Sequence, residues 1–145
     1  MGMQALGRHF NWQAIYDNVY VNMTNCSGVA FLCYLAGAAG DTYTLTEAKT
    51  AAGGSAQVLG TVTEYWTNTG TGVDAWTKRT QAAGSTVVTA AAATQNCMVV
   101  EVQSVELSDG FKYLKLASTG AGLVSALQYS LAVQRTPANL AAIGV

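Results

Sequence analysis

Charge is what this sequence has least of. Asp, Glu, Lys and Arg together make up 10% of its 145 residues, against about 25% in an ordinary soluble domain. The polar surface must then come from Thr, Ser, Asn, Gln and the backbone, and hydroxyls and amides cost less to bury than ions. That favours a protein whose exterior is partly enclosed in something larger. Eight acidic and seven basic side chains leave a net charge of −1, so the whole chain carries no electrostatic footprint for nucleic acid or an anionic membrane. Lys78-Arg79 is the one adjacent basic pair and reads as a solvated loop.

Histidine is nearly absent, with His9 alone. A Ser-His or Cys-His nucleophile would have to use that one residue, in an irregular stretch near the start of the sequence. Cys26, Cys33 and Cys97 are odd in number and lack the C-x-x-C spacing, which favours buried free thiols over a disulfide framework. No His, Cys or carboxylate cluster has metal-ligand spacing. Gly70-Thr71-Gly72 and Gly120-Ala121-Gly122 extend to neither a dinucleotide fingerprint nor a phosphate loop. We therefore assign no catalytic residue, no metal and no cofactor, and expect no enzyme. The carboxylates are scattered singly, so a hydrolase stays open only because no pair is nominated. Long apolar runs are missing too. The most apolar one, residues 29–39, is about half the length of a membrane span and reads as a buried strand. The start, Met1-Gly2-Met3-Gln4, lacks the basic and apolar regions of a secretory signal, so synthesis in the cytoplasm is the expectation.

What the sequence does contain is alternation. From residue 123 to 135, Leu127, Tyr129, Leu131 and Val133 face one way and Ala126, Gln128, Ser130, Ala132 and Gln134 the other. Asp109-Gly110, between alternating arms over residues 105–116, predicts a hairpin. Further strands are expected at residues 14–23, 29–35, 42–48, 58–66, 73–80, 85–90 and 97–103, separated by Gly- and Asn-rich turns. Short helices are candidates at residues 46–52 and 90–95. The fold class is all-β: an antiparallel β-sandwich or jelly roll of about eight to ten strands, with irregular N- and C-terminal arms. The domain spans residues 13–136, between an irregular arm at 1–12 and an apolar tail at 137–145 that follows the one proline, Pro137.

Residues 21–55 run as an apolar strand, a Gly-rich turn, a strand ending in Glu47-Ala48, then Ala52-Gly53-Gly54. After the predicted hairpin and the long alternating strand comes Arg135-Thr136-Pro137-Ala138. This order, over residues 19–138, resembles the small capsid-associated proteins of tailed bacteriophages. The resemblance implies a jelly-roll-like fold and a decoration, or cement, role on the outside of the virion head. The partner it implies is the major capsid protein, and it brings no catalytic residue. A homo-oligomer, a trimer or a dimer, is expected from the symmetry of such lattices, with neither nucleic acid nor membrane as partner. Arg8, His9, Phe10 and Trp12 of the first arm, with Leu140 and Ile143 of the tail, are the candidate contacts to the shell or a sister subunit. The arm is expected to be dispensable for folding. Two rival readings remain: another virion β domain (tail tube, head completion or fibre-associated), and a carbohydrate-binding jelly roll using Tyr65, Trp66 and Trp76 as a stacking platform.

Overall fold

β-branched and aromatic side chains at every second position make one face of each strand apolar, and two such sheets bury those faces against each other. The computed structural model describes residues 5–15 and 17–145. Residues 1–4, the start of the expected arm, and Tyr16, within the expected strand at 14–23, lie outside them. Among the described residues there are eleven strands and no α-helix. They are β1 (Phe10–Ile15), β2 (Val21–Asn22), β3 (Cys26–Tyr34), β4 (Asp41–Ala48), β5 (Gln57–Val58), β6 (Val62–Asn68), β7 (Thr77–Gly84), β8 (Thr86–Thr89), β9 (Cys97–Gln103), β10 (Tyr113–Ser118) and β11 (Leu123–Leu131).

A six-stranded sheet in the order β1-β11-β3-β9-β6-β7 packs on a second sheet, β2-β10-β4-β5, in which β8 also pairs with β4. All pairings between these strands are antiparallel. The fold is a β-sandwich, as the alternation predicts. Val29, Phe31 and Cys33 of β3, Met98, Val100 and Val102 of β9, and Val124 and Ala126 of β11 form the six-stranded side of the core. Val21, Tyr43, Leu45, Val87, Leu114 and Leu116 face them from the smaller sheet.

Several expectations are corrected. Residues 10–12 are not part of an arm, because Phe10–Ile15 pairs in straight register with β11; removing residues 1–12 would strip half an edge strand. Asp109-Gly110 does turn the chain, with Gly110 at φ +79°, but it closes no hairpin. It lies on the crossover from β9 in the larger sheet to β10 in the smaller one. There Glu106 accepts the Gln103 N–H at 2.6 Å and winds residues Ser104–Glu106 into a 3-10 turn. The strand from residue 123 stops at Leu131, just after Ser130 takes a positive φ of 50°. Of the two helix candidates, residues 46–52 are the end of β4 and a turn, and residues 90–95 contain only the 3-10 turn Ala93–Gln95.

The cysteines are free, with Cys26 and Cys33 buried and Cys97 half-buried. Burial pushes all three thiols up from their ordinary range, most of all Cys33 in the core. Since the thiolate is the nucleophile, alkylation of the native protein at neutral pH is expected to be slow at Cys97 and undetectable at Cys33. Unfolding in denaturant should release all three, which mass spectrometry of the labelled chain would read out.

Candidate functional site

The residues that alternate with the core positions of the six-stranded sheet point away from the second sheet, and they are mostly apolar. Strand registers set them in four rows. Phe10, Tyr129, Gly28 and Gln103 form the first, and Trp12, Leu127, Ala30 and Glu101 the second. The third runs Ala14, Ser125, Leu32, Val99, Trp66 and Lys78, and the fourth Leu123, Tyr34, Cys97 and Asn68. Leu123 is 70% exposed, Trp12 47%, and Tyr34 and Trp66 40% each. At about 4.8 Å between strands and 6.8 Å between rows, the face measures on the order of 600 Å². Its non-polar positions make up roughly 400 Å² of that, within the range of the largest apolar patches on soluble monomers, and the whole face approaches the ~800 Å² each partner gives to a standard interface.

Polar groups on this face are tied down or sit at its margin. The Trp12 indole N–H donates to Ser125 Oγ at 3.3 Å, and that hydroxyl donates to Leu32 O. The indole is thereby satisfied by its own sheet. The Tyr129 hydroxyl donates to Glu101 Oε1. Burial, then that hydrogen bond and the carboxylate's charge, push the phenol up from its ordinary value, so it stays a neutral donor at neutral pH. Lys78 pairs with Glu64 at 2.5 Å and lies 5.9 Å from the centre of the Trp66 ring. Both charges are half-exposed, so the pair contributes little stability. What remains is a rigid, largely uncharged plate with aromatic corners.

The six contact candidates divide. Phe10 and Trp12 are on the plate. Arg8 and His9 are exposed in the tight turn before β1, where the His9 N–H donates to Ala5 O. Leu140 is half-buried, whereas Ile143 is 1% exposed and belongs to the core. The tail is therefore docked on its own body, and Ile143 is withdrawn as a contact. Sequence reasoning missed Leu32, Tyr34, Val99, Leu123 and Leu127. The signal was present: residues 29–35 are apolar at every position, the mark of a strand covered on both faces, yet the second sheet covers only one.

Beside Trp66, β6 and β9 pair only over Trp66–Asn68 and Cys97–Val99. Below that point a groove opens, lined by Thr61, Thr63, Glu64, Glu101, Gln103 and Glu106. Trp76 precedes β7 and is also exposed, while Tyr65 packs against the core. Among the described residues, no three His, Cys, Asp or Glu side chains are placed to hold a metal. Comparison with family models, with curated proteins and with solved structures finds no match.

Proposed function

We propose that this chain is a structural virion protein that lies on the outside of a tailed-phage head, bridging neighbouring major capsid protein subunits through the outer face of its six-stranded sheet. The observation that carries this reading is the plate itself: broad, rigid, apolar and almost free of unpaired charge. Burying it removes aromatic and aliphatic surface from water at about 25 cal/mol per Å², without the penalty of stranding ions. Each site need contribute only a modest affinity, because a closed shell multiplies it over many copies. The likeness of residues 19–138 to capsid-associated proteins supports the same role.

Leu123 tests it, since it is 70% exposed and a lysine there would cost the isolated fold little. Leu123→Lys is expected to weaken binding to assembled heads that lack this protein by roughly tenfold or more, through lost apolar burial and a desolvated ammonium. Unchanged occupancy on those heads would reject the plate as the docking face. Electron microscopy of decorated heads adds the second arm: density repeated over the whole surface agrees with cement, and a single ring at one vertex assigns the chain to another part of the virion.

A second reading is favoured by the groove beside Trp66, whose aromatic wall and polar lining match the way proteins hold a pyranose ring. Glycan binding that Trp66→Ala abolishes, with no binding to heads, would replace the first reading by this one.

A further inference from the structure

The two edges of the six-stranded sheet are built differently. β7 carries the devices that keep an edge from pairing. Lys78 and Arg79 lie side by side on it, and Gln81, Ala82 and Ala83 are set against the single residue Thr63 where the register shifts. The short β2 edge is capped by the tail, with the Asn22 N–H donating to Ile143 O at 2.8 Å. β1 is capped only at Phe10, by the turn that precedes it. Its six residues, Phe-Asn-Trp-Gln-Ala-Ile, include no charge and no proline, and they pair with β11 without a bulge.

The backbone on the open side of β1 is specific about what it lacks. The Phe10 N–H donates to Ala5 O and its carbonyl accepts from the Gly7 N–H, so Phe10 turns its polar groups away from β11. Alternation then directs the groups of Asn11, Gln13 and Ile15 toward β11 and those of Trp12 and Ala14 toward the open edge. Among the described residues neither Trp12 nor Ala14 has a backbone partner there.

We infer that this edge pairs with the same edge of a second copy, β1 against β1 about a two-fold axis. Antiparallel symmetry demands that facing residues have numbers of constant sum, and matching faces demands that the sum be even. Pairing Trp12 with Ala14 of the second copy, and Ala14 with its Trp12, meets both conditions and satisfies all four vacant groups on each chain. It leaves Phe10 to its own turn. It also sets the largest side chain of the strand against the smallest on the same face, so the two indoles, held toward β11 by Ser125, do not crowd the seam. The even register one step toward the N-terminus would face Trp12 with its own copy and call on Phe10, whose groups are already used. The step the other way would face Ala14 with its own copy and move the partner of Trp12 to position 16, outside the described residues. The product is one continuous twelve-stranded sheet carrying two plates side by side, an isologous dimer. This inference does not depend on the shell-binding reading, although a dimer would present that surface twice.

Sedimentation of the purified full chain is expected to give twice 15.1 kDa, and hydrogen exchange should protect the Trp12 and Ala14 amides along with those bonded to β11. Ala14→Pro deletes the outward donor without taking a bond from β11, a position where an edge strand tolerates proline. It removes two of the four inter-chain bonds and should weaken the dimer on the order of thirtyfold, about 2 kcal/mol. Ala14→Glu, at an exposed site of the monomer, should weaken it too, because the two introduced carboxylates meet diagonally across the seam on one face. Near-ultraviolet dichroism of both variants checks that the sandwich is intact. A monomer at all concentrations, a trimer, or a dimer that both variants leave unchanged would overturn the inference.

Discussion

Asp41→Ala is expected to lower the unfolding free energy by about 4 kcal/mol, the combined effect of several charge-assisted hydrogen bonds lost at once. Asp41 opens β4 and is 8% exposed. Its carboxylate accepts the N–H groups of Thr42 at 2.7 Å, Gly122 at 2.9 Å and Gly120 at 3.0 Å, together with the Ser118 hydroxyl. It therefore ties the β10–β11 turn to the head of β4, across the two sheets. The glycines of that turn make room for it: a Cβ on Gly122 would lie 2.3 Å from Asp41 Oδ2 and 2.4 Å from Tyr43 Oη. Gly122→Ala should accordingly destabilise through the same contact, and the two substitutions should be strongly non-additive in a double-mutant cycle.

The pH dependence of this site has a definite sign. Burial alone would raise the Asp41 carboxyl, but hydrogen bonds from Ser118 and from the Thr42, Gly122 and Gly120 amides outweigh it and hold the group below the usual carboxylate range. A carboxyl whose folded value lies below its unfolded value of about 4 stabilises the fold above that pH. The stabilisation fades as pH falls toward the folded value. Denaturant melts of the wild type and Asp41→Asn should thus differ by a constant amount near neutrality and converge in acid. A difference that does not change with pH would mean that charge is irrelevant there.

Alternation made the sandwich legible, and it left open which side of each strand faces in. On β11 the core side carries Val124, Ala126 and Gln128, while Leu123, Leu127 and Tyr129 look outward. On β1 the core side carries Asn11 and the outer side Phe10 and Trp12. The usual rule is inverted at Asn11 of β1 and Gln128 of β11, which face each other in register, and the inversion is self-consistent. The Asn11 amide donates to Gln128 Oε1 at 3.0 Å, and the Gln128 amide donates to Asn22 O. Polar residues on two neighbouring strands can line a core edge when their amides satisfy each other. A pattern of single residues has no way to register that, because the partners are 117 positions apart. For the same reason β1 was hidden: its amides and aromatics look like an unpatterned arm until β11 is beside it. The plate was half legible, in the doubly apolar β3. Its partners Trp12, Leu123 and Leu127 came from strands whose facing only tertiary pairing decides.

Ile143→Ala is expected to cost about 2–5 kcal/mol, the range for cutting a fully buried isoleucine to alanine, and Leu140→Ala much less. An apolar, uncharged tail reads in sequence as a segment looking for a partner. Here the partner is its own body. Ile143 is 1% exposed within the core cluster, and amide bonds fix the backbone on either side of it. The Asn11 amide donates to Ala141 O at 3.3 Å, the Asn22 backbone N–H to Ile143 O at 2.8 Å and the Asn22 amide to Val145 O at 2.8 Å. The tail thus closes the open end of the sandwich between β1 and β2, as a plug held by its carbonyls. Ala at position 143 keeps those carbonyl bonds and removes only the side chain, so the measured loss isolates the packing of the plug. Equal, small effects of Ile143→Ala and Leu140→Ala in urea melts would mean that the tail leaves its groove in solution, and would return both residues to the list of surfaces free to meet another subunit.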